Sequence, residues 1–316
     1  MKKTALLFPG QGSQYVGMGQ AFVEQSEQAG QLFATAGEIC NLDFEKLCFE
    51  GPLEELTRAL NLQPALTIVD LTCYQYLMSR LPDFSPARVA GHSLGEYPAL
   101  HAAGVVNLKD TMRLVAKRGE LMEREGRKNP GGMRAVLGLN VEEVDEIIKS
   151  YTGGGIVVVA NHNSEKQVVI SGDVKGLDDV GALCQDRGGR VIPLKVSVAN
   201  HSPLVAGAVE DFAAFMDDIS FQSPQVPLLF NATASSAEDP VEIRAIMARQ
   251  IASRVRWYDI INNMVADGIE LFVELGPKTV LTGLMKKILP RKSSIICMQA
   301  DTPELMDKVV DAISEV

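Results

Sequence analysis

The feature that most constrains this chain is Gly91-His92-Ser93-Leu94-Gly95, a G-x-S-x-G quintet. It lies between the short β-like run Arg88-Val89-Ala90 and a helix-friendly, Ala/Leu/Val-rich stretch that reaches Val106. A strand that turns at once into a helix forces its middle residue into a tight backbone conformation, and glycines two positions to either side let neighbouring chain come close. The Ser93 hydroxyl then stands at a helix N-terminus, where unpaired N–H groups and the helix dipole favour developing negative charge. Ser93 is therefore a candidate nucleophile, set against the plainer reading of a Gly/Ser turn.

The pattern around the quintet indicates the fold class. Thr4 to Phe8 reads as a compact strand that breaks into Pro9-Gly10-Gln11-Gly12-Ser13-Gln14. That loop contains neither Gly-Lys-Ser/Thr nor a complete G-x-G-x-x-G, so it is not read as a phosphate cradle. It can instead deliver a backbone N–H or an amide above a sheet edge. Helical patterns cover about 20–40 and 64–81, the second opening at Pro64 and stopping before Pro82. Further strands are expected at Pro227–Phe230, Ile269–Leu275 and Ile295–Met298, with helices near 240–253, 258–266, 278–289 and 303–314. Strands alternating with helices imply an α/β fold, a mostly parallel sheet covered by helices.

Asn129-Pro130-Gly131-Gly132 interrupts that alternation. Beyond it come strand Met133–Leu139, helix Val141–Ser150, strands Ile156–Ala160 and Gln167–Ser171, helix Val174–Arg187 and strand Arg190–Leu194. This β-α-β-β-α-β order is the ferredoxin-like split unit. Residues 129–195 thus read as a small inserted subdomain, and 1–128 with 196–316 as the large catalytic one. A cleft between the two is the expected site.

Leu108 to Arg124 reads as a helix in which Arg113, Lys117, Glu120 and Arg124 form one polar stripe and Thr111, Leu114, Val115, Leu121 and Met122 the opposite face. Arg118 falls among the second set. A buried guanidinium is costly unless an anion meets it. That anion is either a structural carboxylate or a substrate's.

A general base is sought among only four histidines. His92, next to Ser93 on a sharp turn, reads as packing. His101 stands eight residues along the following helix, about 12 Å of rise away, and cannot reach. His162, between two strands of the insert, and His201, where the chain re-enters the large body, both remain, with position favouring His201. The many carboxylates give no means of choosing a third member, and a backbone carbonyl could fill that role.

Composition bounds the partners. With 316 residues, 46% hydrophobic and 22% charged, the chain is an ordinary globular one that can bury a large core. A net charge of −10 argues against nucleic acid and anionic membranes. Cys40, Cys48, Cys73, Cys184 and Cys297 are scattered without C-x-x-C spacing and read as reduced residues of a cytoplasmic protein. The apolar run after Met1-Lys2-Lys3 ends at Pro9-Gly10, too short for a signal peptide, and no stretch has the length of a membrane span.

Several motifs run in order through nearly the whole chain. They are Phe8-Pro9-Gly10-Gln11-Gly12-Ser13-Gln14, Gly91-His92-Ser93-Leu94-Gly95-Glu96-Tyr97, and Lys117-Arg118-Gly119-Glu120-Leu121-Met122. After these come Ala160-Asn161-His162-Asn163-Ser164, Gln167-Val168-Val169-Ile170-Ser171-Gly172, and Val196-Ser197 with His201-Ser202. The last are Arg249-Gln250, Val255-Arg256-Trp257, and Glu274-Leu275-Gly276-Pro277 with Val280-Leu281-Thr282-Gly283-Leu284. Together they resemble the malonyl-CoA:acyl carrier protein transacylases, the S-malonyltransferases of fatty acid and polyketide synthesis. The resemblance implies an α/β-hydrolase-like large subdomain with an inserted ferredoxin-like one. It implies a Ser93–His201 dyad whose imidazole is oriented by main-chain carbonyl near Gln250, and an oxyanion hole from the N–H groups of Gln11 and Leu94. Arg118 would hold the malonyl carboxylate, with Gln250 and Asn161 supporting. Malonyl-CoA would be substrate and acyl carrier protein the partner of a monomer that needs no metal or other cofactor. A serine esterase or thioesterase is the competing reading; another is an idle docking subunit or a malonyl-loading component of a larger assembly.

The chain also departs from the family pattern. Asn200 stands where Ser or Phe is common before the His, at the acyl α-carbon, which bears on malonyl against branched substrates. Arg254 replaces a Pro, Arg134 a small residue, and Glu165-Lys166 a Pro/Gly- or Pro/Ser-like turn. Carrier proteins of this class are acidic, so docking needs local positive charge on an acidic chain. Arg187, Arg190, Lys195, Lys286, Lys287 and Arg291 are the candidates.

Overall fold

The computed structural model describes residues 2–196 and 198–314, so Ser197 of the motif set lies outside the described residues. Nine strands occur among the described residues: β1 (Thr4–Phe8), β2 (Arg88–Gly91), β3 (Gly132–Leu137), β4 (Val157–Ser164), β5 (Gln167–Gly172), β6 (Arg190–Pro193), β7 (Leu228–Leu229), β8 (Leu271–Leu275) and β9 (Ile296–Ala300). They form two sheets. One is parallel, in the order β7-β2-β1-β8-β9; the other is antiparallel, in the order β4-β5-β3-β6.

The parallel sheet is covered on both faces, so β1 and β8 are buried along their whole length and read as continuous apolar runs. Leu6 and Phe8 point into a core shared with the helices Glu27–Cys40, Ala59–Arg80 and Leu108–Lys128. Ala5 and Leu7 point the other way, against Trp257, Ile260 and Ile261 of the helix Trp257–Ala266 and Leu281 and Leu284 of the helix Val280–Ile288. Phe8 pairs with Gly91, so the loops leaving β1 and β2 start at the same level. That register places the Pro9–Gln11 loop beside Ser93, at the C-terminal edge where ligands bind in parallel sheets.

The antiparallel sheet carries the β-α-β-β-α-β run. Its helices Val141–Ser150 and Val174–Asp186 bury Val144, Ile147, Leu177 and Val180 against Val136, Val168 and Ile170 on one face. A reciprocal box, Asn140 with Glu143, starts the first helix. The other face, with Met133, Ala135 and Val169, turns toward Ser93.

Several expectations are corrected. The helical stretch 20–40 is two helices, Gln20–Gln25 and Glu27–Cys40, because Ser26 is extended and its side chain caps Ala29 N–H. The helix expected to open at Pro64 begins at Ala59. Pro64 removes one backbone donor there, but the preceding turn is held by Asn61 and Leu62 N–H donating to the Arg58 carbonyl and by the burial of Leu62 and Gln63. His162 is not in a loop: β4 continues through it to Ser164, and its N–H donates to the Val255 carbonyl at 2.8 Å. Helix Gly207–Met216, with only a short apolar face, was not anticipated. All five cysteines are unpaired.

Candidate active site

β2 leads directly into a helical turn at Ser93–Gly95 and then the helix Glu96–Ala102. Ser93 takes φ 54°, the strained conformation such a reversal demands. A Cβ on Gly91 would strike the Gly95 carbonyl, and one on Gly95 the Phe8 carbonyl, so neither position admits a side chain. Asn231, just past β7, pins the turn: its Oδ1 accepts from Ser93 N–H at 2.7 Å and its Nδ2 donates to the Gly91 carbonyl at 2.7 Å. Ser93 N–H is thereby occupied. Leu94 and Gln11 line the cavity in front of the hydroxyl, on opposite sides of the Phe8–Gly91 register.

His201 comes from the chain just after the antiparallel unit, and its Nε2 lies 2.7 Å from Ser93 Oγ. Its Nδ1 is 2.9 Å from the Ser253 carbonyl and 3.2 Å from that of Gln250. Two carbonyls can only accept, so Nδ1 carries the proton and Nε2 presents its lone pair to the serine O–H. The orienting acceptor is thus main chain, as expected near Gln250, with Ser253 supplying the shorter bond. Burial, with Arg118 and His92 nearby, pushes the His201 imidazole down to about 3, against the pull of the two carbonyls. The ring is therefore neutral at neutral pH and able to accept a proton.

Arg118 is 1% exposed. Its Nη2 donates to Ser93 Oγ at 3.1 Å and to Gln250 Oε1 at 3.3 Å, and Nη1 donates to Gln63 Oε1. The guanidinium lies 5.6 Å from the centre of the Tyr97 ring. Its hydrogen bonds go to neutral acceptors, and Nε has no partner among the described residues. The helical periodicity had placed Arg118 on the buried face without a partner; here it ends beside the nucleophile.

Beneath these groups runs a polar support of Gln250, a residue the resemblance implies, with Asn231 and Glu96, which sequence reasoning does not single out. Gln250 Nε2 donates to the Ser93 carbonyl at 2.8 Å and to Glu96 Oε2 at 2.7 Å, and Asn231 N–H donates to Glu96 Oε1 at 2.7 Å. Burial pushes the Glu96 carboxyl up to about 8, with Asn231, Gln250 and Arg118 pulling it back. Its folded value stands above its ordinary 4.5, so the stability it contributes is fully present below about 4.5 and is lost as pH rises toward 8. Glu96→Gln is therefore expected to flatten the fall in melting temperature across that window; an unchanged slope would contradict this account.

The remaining histidines do not converge. His92 Nε2 meets Asn163 Oδ1 at 2.9 Å and the ring packs on Trp257, the packing role expected of it. His101 Nδ1 faces the Val106 carbonyl at 3.1 Å. His162 packs against Tyr258 with the rings tilted by 55°, 4.9 Å between ring centres. Asn161 and Asn200 line the cavity, and the Oδ1 of each is buried without a partner among the described residues. The cavity measures about 250 Å³ and is walled by Met133, Ala135 and Val169 of the antiparallel sheet and by Leu281 and Leu284.

A half-buried Ser facing a buried His, with a guanidinium at the hydroxyl, fits acyl transfer, and comparison with known proteins decides among such enzymes. The family model for the acyl transferase domain matches residues 5–309. A malonyl CoA-acyl carrier protein transacylase from Bacillus subtilis (strain 168) is 38% identical over 309 residues, covering 96% of each chain. The chain belongs to the malonyl CoA-acyl carrier protein transacylase family. Among solved structures, an acyl carrier protein S-malonyltransferase from Vibrio cholerae matches with a TM-score of 0.92 at 37% identity, over 97% of this chain and 99% of that one. A malonyl-transacylase in complex with its type II PKS acyl-carrier protein matches with a TM-score of 0.93 at 33% identity, over 98% of this chain and 99% of that one. The transacylase family members therefore share the mixed architecture of one parallel and one separate antiparallel sheet. Among the described residues no helix is long and apolar enough to cross a membrane.

Proposed function

We propose that this chain transfers malonyl from malonyl-CoA to the phosphopantetheine thiol of an acyl carrier protein through a malonyl-Ser93 ester. The observation that carries this reading is that the Ser93 O–H faces the bare His201 Nε2 at 2.7 Å while Ser93 Oγ accepts from Arg118 Nη2 at 3.1 Å. The turn at Ser93 is a nucleophile elbow, the large body is α/β-hydrolase-like, and residues 129–195 are a ferredoxin-like insert.

Malonyl-CoA enters the cleft with its free carboxylate turned to Arg118, whose planar fork suits a two-point contact that Lys could not reproduce. His201 Nε2 takes the Ser93 proton as Oγ bonds to the thioester carbon. The oxyanion is held by the N–H groups of Leu94 and Gln11, a contribution of about 3–4 kcal/mol per donor. The C–S bond breaks, and the imidazolium returns its proton to the CoA thiolate. The carrier thiol then attacks the malonyl-serine by the same steps reversed. Thioester to ester to thioester involves no change of oxidation state.

Rapid mixing distinguishes transferase from esterase. A burst of one CoA per chain followed by a malonyl-enzyme that only a thiol discharges is expected; steady turnover by water would favour the esterase.

The acidic carrier docks where positive charge meets the cavity mouth. Lys286 and Lys287 are exposed on Val280–Ile288, the helix that also supplies Leu281 and Leu284 to the cavity wall. Across the mouth Lys195 is exposed beside Leu194, and Arg187, Arg190 and Arg291 are exposed too. Lys287 donates to Gln167, another lining residue, at 2.6 Å. Reversing Lys286 and Lys287 to Glu is expected to raise KM for the carrier roughly tenfold and leave acylation by malonyl-CoA unchanged. An unchanged carrier KM would remove these lysines from the interface.

A further inference from the structure

The loop that offers carbonyls to His201 is itself held from outside the site. Val255 N–H donates to the Ala160 carbonyl at 2.7 Å, and His162 N–H donates to the Val255 carbonyl at 2.8 Å, so the loop runs alongside β4. Arg254 adds a side-chain grip. Its Nη1 and Nη2 donate to the two carboxylate oxygens of Asp145 at 3.0 and 2.6 Å, and its Nε donates to the Val159 carbonyl at 3.2 Å. Asp145 lies on the helix Val141–Ser150 and Val159 on β4, so one guanidinium fastens the loop to two elements of the antiparallel unit.

Arg254 directly follows Ser253, whose carbonyl lies 2.9 Å from His201 Nδ1. The Ser253 C=O and the Arg254 Cα share one rigid peptide plane, so whatever fixes Arg254 fixes the direction of that carbonyl. A two-point Arg–carboxylate pair sets orientation as well as distance. We propose that Arg254 is a positioning residue: its clamp on Asp145 and Val159 aims the Ser253 carbonyl that holds His201 in its working tautomer. The clamp ties the base to the unit that walls the acyl cavity, since Asn161, two residues beyond Val159, lines that cavity. It rests on the reading of His201 as the base. The Gln250 carbonyl at 3.2 Å is a second acceptor, so removing the clamp weakens the arrangement without abolishing it.

The test compares Arg254→Ala, Asp145→Ala, their double variant, Arg254→Lys and His201→Ala in malonyl transfer. Losing part of one hydrogen bond should lower kcat roughly three- to tenfold in Arg254→Ala, with KM for malonyl-CoA unchanged. The double variant should lose no more than Arg254→Ala, and Arg254→Lys should recover part of the rate. The His201 ring N–H proton resonance, assigned by its absence in His201→Ala, should shift in Arg254→Ala. The pair is 37% and 44% exposed, so the melting temperature should barely move. Wild-type kcat with an unmoved resonance in Arg254→Ala, or a loss confined to KM, would overturn the clamp. Full activity in His201→Ala would instead overturn the base on which it rests.

Discussion

Replacing His201 by Ala is expected to slow malonyl transfer roughly a hundredfold to ten-thousandfold, the range over which a positioned general base contributes. The imidazole is the one group within 2.7 Å of Ser93 Oγ that is built to take a proton, because two main-chain carbonyls hold Nδ1 protonated and leave Nε2 bare. Arg118, the other neighbour of the hydroxyl, can only donate. The loss should fall on kcat, with KM for malonyl-CoA little changed, because the thiol ester and carboxylate contacts remain. Combining His201→Ala with Ser93→Ala should cost little more than Ser93→Ala alone, since nucleophile and base act as one unit. Steady-state kinetics with far-ultraviolet dichroism to check folding would decide it; a His201→Ala enzyme within a few-fold of wild type would remove His201 from the mechanism.

The second large effect concerns which acyl group is carried. Arg118→Ala is expected to reduce the preference for malonyl-CoA over acetyl-CoA roughly tenfold to a hundredfold, as follows from about 1.5–3 kcal/mol for a hydrogen bond to a charged group. The argument is one of satisfaction. The guanidinium is 1% exposed, yet its hydrogen bonds go to Gln63, Gln250, the Met122 sulfur and the Ser93 hydroxyl, all neutral. Burying a cation among neutral acceptors is unfavourable unless an anion arrives, and the acyl cavity is where one can. Because Arg118 also touches Ser93, both substrates will slow, so the ratio of their kcat/KM values is the quantity to measure. Arg118→Lys should restore charge without the planar fork and recover only part of the preference. A wild-type ratio in Arg118→Ala would separate this residue from the carboxylate.

Much of the site was legible because it rests on local patterns. The G-x-S-x-G quintet between strand and helix placed Ser93, and a 3.6-residue period placed Arg118 on a buried face. The β-α-β-β-α-β order placed the antiparallel unit. Other parts carry no local signature. Asn231 and Glu96 meet only because β7 pairs with β2 across more than a hundred residues, and nothing near Asn231 marks it. The Ser253 carbonyl is main chain, and any residue type offers one. The expected strand ends at Ala160, which leaves His162 between two strands, yet pairing with β5 carries β4 through Asn161 and His162 to Ser164. The start at Ala59 was hidden by Pro64, whose lost donor is offset by a buried turn before it.

The central claim is that Ser93 itself carries the malonyl group between two thiols. The most direct measurement is the mass of the intact protein after mixing with malonyl-CoA without carrier protein, followed by peptide mapping. An added mass of about 86 Da on the peptide that contains Ser93, absent from Ser93→Ala and removed on adding a carrier thiol, is the predicted result. An unmodified Ser93 in protein that still transfers malonyl, or an adduct on another residue, would contradict it.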